Sequence, residues 1–393
     1  MTQHDPAAPA LARLLRQSHL MRPEALPRHV DEAALLLGAQ GCRIHLVSRD
    51  QRALLPLGHG DEVLSLDGTI AGRAYRTTEV LASSDGARLW VPLLDGTERL
   101  GVLEVLTGDA GADALHDRLL PFASLVAEFV VSKGQYTDTF ERVRRALPMG
   151  VAAEMLWRQL PPLTFAADRF VVAAQLEPWH AVGGDAFDYS IDGDVLRLAV
   201  FDAMGHGLGA TLLASVALAA YRNARRSGKD LTATAKAVDA VLGGQFGPES
   251  FVTALLAELD LRDGTLRTLS AAHPAPLLVR DGRSQGEIVT EPGFPLGFGE
   301  RDDTVVATSL QPGDRLLMFS DGVVEARDEA GVFFGTDRLV DLLVRAESHR
   351  QPPPETLRRL IVAVLDHQQG TLQDDATVLL LEWAGDSRAV LPQ

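Results

Sequence analysis

Four aspartates, each beside an apolar run of β-prone residues, are the groups in this sequence that could do chemistry. They are Asp185, Asp202, Asp321 and Asp374. Hard divalent cations such as Mg²⁺ bind carboxylate and carbonyl oxygens and keep several water ligands. Two such ions about 3.5–4 Å apart, bridged by one carboxylate, activate a water molecule and hold a phosphoryl group. The four acids therefore indicate a divalent-cation site, provided that the fold brings their turns together.

The turn after Asp202 contains Gly205, Gly207 and Gly209, which leave its backbone bare. Glycine permits positive φ angles and lets a backbone approach a ligand closely. For each acid taken alone a simpler interpretation stays open, because Asp-Gly and Asp-Asp pairs are ordinary turn residues. The elements that would carry the acids are therefore the next question.

Length and composition limit the number of domains and the class of protein. A chain of 393 residues with 46% hydrophobic residues is longer than one ordinary core, which predicts two domains. No apolar run approaches the roughly 20 residues of a membrane-spanning helix. The net charge of −16 argues against a nucleic-acid partner, because phosphate binding needs a basic face. The acidic surplus is equally explained by solubility.

The N-terminus and the cysteine content bear on location. Residues 1–10 lack the basic flank and apolar segment of a signal peptide, and we expect them to be a disordered lead. Cys42 is the only cysteine, which excludes an intrachain disulfide and a thiolate metal cluster. A cytoplasmic location is favoured on this ground.

Residues 11–132 show the pattern of an α+β domain. Helical periodicity in residues 11–37 and 115–133 flanks a series of short strand-like runs. Residues 88–94 and 100–106 are apolar and are separated by Asp95-Gly96, a strong signal for a β-hairpin.

Two segments of this region resemble a GAF domain. They are Leu66-Asp67-Gly68-Thr69-Ile70-Ala71-Gly72-Arg73-Ala74-Tyr75-Arg76-Thr77 and Leu89-Trp90-Val91-Pro92-Leu93 with Arg99-Leu100-Gly101-Val102-Leu103-Glu104. The resemblance implies a sensory or dimerising module, with a small-molecule ligand as a possible partner. A degenerate GAF fold that only dimerises is the alternative. No chromophore-type motif surrounds Cys42, and His45 and His59 are interpreted as ordinary surface or core residues.

The two halves are joined by residues 133–162, where a helical pattern continues through Phe140, Val143, Leu147 and Met155–Leu156 and is interrupted at Pro148-Met149-Gly150. We expect a helical linker that either carries a signal or acts as a passive spacer. Residues 163–385 then alternate strand and helix patterns, with a hairpin signal at Asp263-Gly264. These patterns predict paired helices on antiparallel sheets, followed by a tail at 386–393.

Residues 150–383 resemble the metal-dependent PPM (type 2C) protein phosphatases in their bacterial SpoIIE/RsbU branch. The matching motifs are Val182-Gly183-Gly184-Asp185-Ala186-Phe187-Asp188, Asp202-Ala203-Met204-Gly205-His206-Gly207, Phe251-Val252-Thr253-Ala254, Ala271-Ala272-His273-Pro274-Ala275-Pro276, Pro295-Leu296-Gly297, Phe319-Ser320-Asp321-Gly322-Val323-Val324-Glu325-Ala326 and Asp374-Asp375-Ala376-Thr377. The resemblance implies an αββα sandwich of antiparallel sheets over residues 163–385. With it, the interpretation of all four acids as ordinary turn residues becomes untenable.

The resemblance also implies a site with two Mn²⁺ or Mg²⁺ ions. Asp202 would bridge the two metals, and the carbonyl of Ala203 would complete one position. Asp321 and Asp374 would bind the other ion, with Asp185 at or just behind the metals. All four aspartates are thereby predicted to be catalytic.

The function implied is that of a serine/threonine phosphatase controlled by the GAF-like domain. Its substrate would be a phosphorylated regulatory protein of the anti-anti-sigma (STAS) type, and the chain would form a homodimer with no nucleic-acid partner and no membrane span. A catalytically silent phosphatase fold that only docks a partner is the alternative from another class. A GAF dimer that merely sets the geometry of the phosphatase is a third.

Two positions depart from the eukaryotic relatives. Ala203 stands in place of a glycine, and no arginine near Asp185 corresponds to their phosphate-binding residue. We expect the first change to be tolerated, because only the carbonyl is needed. His206 is either an acid for the leaving group or part of a structural Gly-His-Gly turn, and His273 is interpreted as a packing residue.

Overall fold

The computed structural model describes residues 7–385, except 59, 61, 109–111, 146, 179–180, 182, 300 and 371. These residues divide into two compact units, one up to residue 148 and one from residue 149 onward. None of the helices in the described ranges combines the length and the apolar character needed to cross a membrane. The predicted tail at 386–393 lies outside the described residues.

The N-terminal unit is a six-stranded antiparallel sheet with helices on both faces. Its helices are α1 (Ala7–Ser18), α2 (Leu26–Leu37), α3 (Ile70–Thr77), α4 (Ala112–Gly134) and α5 (Thr139–Arg144), with a short 3-10 helix at Pro23–Ala25. Its strands are β1 (Gly41–Val47), β2 (Ala53–Leu57), β3 (Leu64–Ser65), β4 (Leu81–Ala82), β5 (Arg88–Asp95) and β6 (Glu98–Leu106), in the order β3-β2-β1-β6-β5-β4. One core lies between this sheet and α1, α2 and α4, and a smaller one lies under α3. The α+β prediction is confirmed.

Local sequence explains the elements that were predicted best. The hairpin β5–β6 turns at Gly96, whose φ of 57° suits the tight connection read from Asp95-Gly96. Helix α3 begins after Thr69, whose hydroxyl accepts a hydrogen bond from the Gly72 N–H. The prediction of a disordered lead is wrong for residues 7–10, because α1 already begins at Ala7 and Ala10 is fully buried. Residues 1–6 lie outside the described ranges.

The C-terminal unit contains two six-stranded sheets. Its helices are α6 (Val151–Trp157), α7 (Gly207–Arg226), α8 (Leu231–Gln245), α9 (Asp321–Val324), α10 (Thr336–Ser348) and α11 (Pro353–His367). Its strands are β7 (Thr164–Ala167), β8 (Phe170–Glu177), β9 (Asp185–Asp192), β10 (Val195–Ala203), β11 (Val252–Asp260), β12 (Thr265–Ala271), β13 (Leu277–Arg280), β14 (Arg283–Glu287), β15 (Pro292–Gly293), β16 (Val306–Ser309), β17 (Arg315–Phe319) and β18 (Ala376–Trp383). We call the sheet β15-β12-β11-β10-β9, with β16 on β12, the front sheet, and β14-β13-β17-β18-β8-β7 the back sheet.

The two sheets face each other across one core and carry helices on their outer sides. The core that unites the front sheet, the back sheet, α7 and α8 takes Leu379 and Leu381 from β18. The core between the back sheet and α10 and α11 takes Val378 and Leu380 from the same strand. Successive side chains of a strand point to opposite faces, so β18 contributes to both cores. This is the predicted αββα sandwich, and the prediction is confirmed.

The segment expected to be a helical linker is divided between the units. Phe140 of α5 is buried in the N-terminal core, and Arg49 binds Glu141 of the same helix. Ala153 and Leu156 of α6 are fully buried in the C-terminal core. The described residues between α5 and α6 are not helical. A single helix through 133–162 is therefore not present, since its apolar positions serve two different cores.

Candidate metal centre

Asp202 and Asp185 stand opposite each other on neighbouring strands of the front sheet. Asp202 is the penultimate residue of β10 and Asp185 is the first residue of β9, and the two are register partners. The sequence predicted both at the junction of a turn and a strand; in the structure Asp202 lies within its strand and Asp185, at the end of the turn 183–185, is the first residue of β9. The strand β9 escaped prediction because Asp185 and Asp188 interrupt its apolar pattern, although both are buried.

Electrostatics show that the four predicted acids share one region. The pKa of Asp202 is raised to about 7, first by burial and then by the carboxylates of Asp321, Asp374 and Asp375. The pKa of Asp185 is raised well above its usual value, first by burial and then by Asp202 and Asp375. Burial also raises the pKa of Asp321, with Glu325 and Asp374 adding to the effect. The front sheet supplies two of these acids, and the segments at 321 and 374 supply the others from the back sheet.

No lysine, arginine or histidine in the described ranges forms an ion pair with Asp185, Asp202, Asp321 or Asp374. The nearest ion pairs of the same strands belong to Asp188, which binds Arg222 and Arg225. Like charges that lack a counterion repel each other, and this repulsion adds to burial in raising the pKa values of Asp185, Asp202 and Asp321. A cation from solution would remove this repulsion.

The donors fit a hard divalent cation by chemistry, although they do not form a closed cage. Carboxylate oxygens and the Ala203 carbonyl are the ligand types that Mg²⁺ and Mn²⁺ accept. Among the residues the structure describes, no three acidic, histidine or cysteine side chains converge closely enough to hold one ion. Mg²⁺ commonly takes only one or two carboxylates from the protein and keeps its other ligands as water. The arrangement thus suits a hydrated cation.

The carbonyl of Ala203 lies directly beside Gly184. A Cβ atom added to Gly184 would overlap this carbonyl oxygen, and the Ala203 N–H donates to the Gly184 carbonyl at 3.2 Å. Glycine at 184 is therefore required for the two strand ends to approach. The alanine at 203, which departs from the glycine of eukaryotic relatives, is buried without strain at the end of β10.

Residues 192–384 match the family model described as Stage II sporulation protein E. We call the C-terminal domain, which contains this match, the SpoIIE domain. Among its relatives are the phosphoserine phosphatase RsbU of Bacillus subtilis, 24% identical over 52% of this chain and 60% of that protein, and the Stage II sporulation protein E of Priestia megaterium, 25% identical over 51% and 33%. The matches span between 24% and 60% of the length of such relatives.

Solved structures support the fold of the SpoIIE domain. The RsbU and RsbW domains of a Mycobacterium tuberculosis protein share 27% identity over 57% of this chain and 63% of that one, with a TM-score of 0.50. The SiaA-PP2C domain of Pseudomonas aeruginosa shares 22% identity over 64% of this chain and 99% of that one, also with a TM-score of 0.50. The latter is evidence for the fold alone.

Two buried residues of the SpoIIE domain organise the acids and were not predicted. Ser320 is fully buried, and its hydroxyl donates to Asp185 Oδ2 at 2.6 Å while accepting the Thr377 N–H at 3.0 Å. Asp375 accepts the N–H groups of Gly183 and Gly184 at 2.6 and 2.7 Å. Both residues lie within motifs quoted from the sequence, but their partners are remote in the chain, and local patterns carry no signal for such contacts.

The two histidines singled out in the sequence have different surroundings. His206 is exposed at the N-cap of α7, where its side chain makes no capping hydrogen bond. Its acid role stays a prediction. His273 is buried, and its Nδ1 lies 2.8 Å from the Thr253 hydroxyl. Burial lowers the pKa of His273 to about 4, with the Phe319 backbone opposing the shift, so the ring is neutral at pH 7.

Proposed function

We propose that this chain is a metal-dependent phosphatase of phosphoserine and phosphothreonine in proteins. The observation that carries the proposal is the grouping of Asp202 with the carboxylates of Asp321, Asp374 and Asp375, without a basic partner among the described residues. Membership of the SpoIIE family supports it, and so does the printed name of the Bacillus subtilis relative, a phosphoserine phosphatase.

The proposed roles follow the positions of the acids. Asp202, which faces acids from both sheets, would bridge two Mn²⁺ or Mg²⁺ ions, and the Ala203 carbonyl would complete one position. Asp321 and Asp374 would bind the second ion. Asp185 would act at or just behind the metals, with its carboxylate fixed by Ser320. The bound ions would supply an activated water and neutralise charge on the phosphoryl group.

The protein itself would contribute positioning rather than a nucleophile. Cys42 is buried in the N-terminal unit, where burial raises the pKa of its thiol and keeps it protonated. The acids of the SpoIIE domain are held in place by strand ends and short hydrogen bonds. Because the bound ions would supply the attacking water, an in-line displacement at phosphorus would require no covalent intermediate with the protein. Removal of the cations by a chelator should therefore abolish activity reversibly.

The finer parts of the proposal concern substrate, control and location. A phosphorylated anti-anti-sigma protein of the STAS type is the proposed substrate, and the N-terminal unit, as a GAF-like domain in a homodimer, is the proposed regulator. The α+β fold of that unit supports this role. A cytoplasmic location is proposed from the single cysteine.

The decisive experiment compares hydrolysis of a phosphoserine protein by the wild-type chain and by Asp202→Asn in the presence of Mn²⁺. We expect kcat/KM to fall by more than about 100-fold, because even outer partners of metal ligands are worth about 10–100-fold. Asp192→Asn is the matched control, since Asp192 is exposed at the far end of β9. Equal activity of Asp202→Asn and the wild type would refute the two-metal assignment.

The alternative is a catalytically silent phosphatase fold that only docks a partner. One observation favours it: no three potential metal ligands converge closely among the described residues. Titration calorimetry with Mn²⁺ and Mg²⁺ separates it from the enzyme. A phosphatase should bind the cations, and the binding should be weakened by Asp202→Asn. A wild-type chain that binds neither cation would favour the docking role.

A further inference from the structure

The side chain of Asp375 is the hub of a hydrogen-bond lock between the two sheets of the SpoIIE domain. Its Oδ2 accepts the N–H groups of Gly183 at 2.6 Å, Gly184 at 2.7 Å and Asp185 at 3.3 Å. Three successive N–H groups that point at one oxygen form a backbone nest, an arrangement that binds anions. Here the anion is supplied by the chain itself, from the segment that leads into β18 of the opposite sheet.

The same turn is held from its other side. Thr211 of α7 is fully buried, and its hydroxyl donates to the Gly183 carbonyl at 2.6 Å. Ser320 holds the carboxylate of Asp185 at 2.6 Å. The turn at 183–185 is thus fixed by groups from a helix and from two loops of the back sheet, and it presents Asp185 to Asp202 and Gly184 to the Ala203 carbonyl.

Asp375 differs from its neighbour Asp374 in a way that separates their tasks. Asp374 is exposed, whereas Asp375 is buried. Asp375 Oδ2 accepts three backbone N–H groups, two of them at 2.6 and 2.7 Å, so this oxygen is saturated by the backbone. Asp374 has no such bonds to the turn, and its carboxylate raises the pKa of Asp202 from the exposed side.

We infer that Asp375 is a positioning residue, which holds the turn at 183–185 against the back sheet and thereby sets the affinity of the site for divalent cations without binding them. The inference rests on the proposed function for the identity of the cation. Its requirement is an acceptor oxygen at this place rather than a negative charge. An asparagine side chain offers the same oxygen without the charge, whereas alanine offers neither.

The test measures Mn²⁺ affinity by calorimetry for Asp375→Asn, Asp375→Ala and Asp374→Asn in the full chain. All measurements are made at a temperature at which circular dichroism shows each variant folded. We expect Asp375→Ala to lose about 10–100-fold in affinity, the range typical of residues that orient metal ligands. Asp375→Asn should keep most of the wild-type affinity. Asp374→Asn removes the charge of a proposed ligand and should bind Mn²⁺ more weakly than Asp375→Asn does.

Two outcomes overturn the inference. One is an Asp375→Asn variant that loses Mn²⁺ affinity as strongly as Asp374→Asn does, which would mean that the Asp375 carboxylate itself binds the cation. The other is wild-type affinity in Asp375→Ala. If Asp375→Ala does not fold, the comparison of Asp375→Asn with the wild type and Asp374→Asn decides alone.

Hydrogen exchange measured by mass spectrometry keeps this test independent of catalysis. The amides of Gly183 and Gly184 should be protected in the wild type and in Asp375→Asn and should exchange faster in Asp375→Ala. Protection that is the same in all three variants contradicts the lock. A wild-type chain that shows this protection pattern but binds no Mn²⁺, or hydrolyses no phosphoprotein, refutes the proposed function and leaves the lock intact.

Discussion

Asp202 has acidic neighbours from both sheets, and this crowding is the main electrostatic feature of the site. Its strand partner is Asp185, and the carboxylates of Asp321 and Asp374 lie near it from the other sheet. Bringing unneutralised acids together costs free energy that other parts of the fold must offset. A bound dication would return part of that free energy, so we expect cation binding and folding of the SpoIIE domain to be coupled.

His273 gives a prediction about stability and pH. Its pKa is lowered by burial from 6.5 to about 4, so the folded protein resists protonation of the ring. Between pH 6.5 and pH 4 the unfolded chain binds the proton more readily than the folded chain does. The contribution of His273 to the free energy of unfolding should therefore be fully present above pH 6.5 and be lost as the pH drops toward 4. The contribution of this residue to the loss is about 3 kcal/mol, at about 1.4 kcal/mol per pKa unit.

The measurement is urea unfolding at several pH values for the wild type and for His273→Asn. The asparagine amide can replace Nδ1 as the partner of the Thr253 hydroxyl, which lies 2.8 Å away. Below pH 6.5 the variant should lose stability less steeply than the wild type. Parallel curves for the two proteins would show that His273 does not titrate as its burial implies.

At the scale of single residues, the sequence singles out four acids and is silent about what holds them. Asp185, Asp202, Asp321 and Asp374 stand in the family motifs, and in the structure Asp202 is the strand partner of Asp185 and has its pKa raised by Asp321 and Asp374. Their roles in metal binding stay a prediction. Asp375 was visible only as the second member of an Asp-Asp pair. Its function depends on amides that lie 192 and 191 positions away in the chain, and such a contact has no local sequence signal.

At the scale of elements, the strand ends and short turns are packed so closely that two glycines have no substitute. Gly184 faces the Ala203 carbonyl, and Gly322 of α9 faces the backbone carbonyl of Asp375. An added Cβ at either position would overlap a carbonyl oxygen. Helix α9 can therefore bring Asp321 toward Asp374 only because residue 322 has no side chain.

This packing predicts opposite effects for two Gly→Ala substitutions in helices. Gly322→Ala should destabilise the SpoIIE domain by about 1–3 kcal/mol, as overpacking does, because backbone must move to admit the methyl group. Gly209→Ala in α7 meets nothing within 4 Å and should stabilise the domain by up to about 1 kcal/mol. Thermal unfolding of both variants is the measurement. A Gly322→Ala variant as stable as the wild type would show that α9 is free to shift.

The elements that were predicted well are those with a regular local pattern. The apolar runs Ala53–Leu57, Leu277–Arg280 and Arg315–Phe319 stand between polar turns, and each forms a strand with these bounds, namely β2, β13 and β17. Strand β9 was missed, since buried acids break its pattern, and β14 has no apolar pattern of its own. The residues of β14 are largely exposed, so its sequence does not alternate between apolar and polar positions.

At the scale of the whole molecule, the division between the units falls at residues 148 and 149, ahead of α6. The interruption of the helical pattern at Pro148-Met149-Gly150 coincides with this boundary. Helical periodicity does not reveal which core an apolar face joins, and Phe140 and Leu156 are buried in different cores. Any fragment designed to isolate the SpoIIE domain must therefore retain α6.

Two fragments test this boundary. A fragment that begins at Met149 should fold, whereas one that begins at Leu160 should be strongly destabilised, because it lacks the fully buried Leu156. Loss of one such leucine costs about 2–5 kcal/mol, a large part of the roughly 5–15 kcal/mol that stabilises a domain. Circular dichroism and thermal unfolding measure the difference. Equal stability of the two fragments would contradict the assignment of α6.

The full chain offers a matched pair for the same point. Leu156→Ala should lower the stability of the SpoIIE domain, while Val151→Ala, at a position 75% exposed on the same helix, should leave it nearly unchanged. The fragment that begins at Met149 also tests regulation. If its phosphatase activity and oligomeric state equal those of the full chain, the N-terminal unit neither senses nor dimerises for this activity.

The position of β18 bears on how the protein is made. Its side chains complete both cores of the SpoIIE domain, and its pairing partner β8 is synthesised far earlier. At translation rates of about 5–20 residues per second, β8 waits about 10–40 s for β18. Throughout that interval the nascent chain has an open back sheet and lacks Asp374 and Asp375. We therefore expect the SpoIIE domain to become competent only near the end of its synthesis, so that a translation product interrupted before β18 is a target for chaperones and proteases rather than an uncontrolled enzyme.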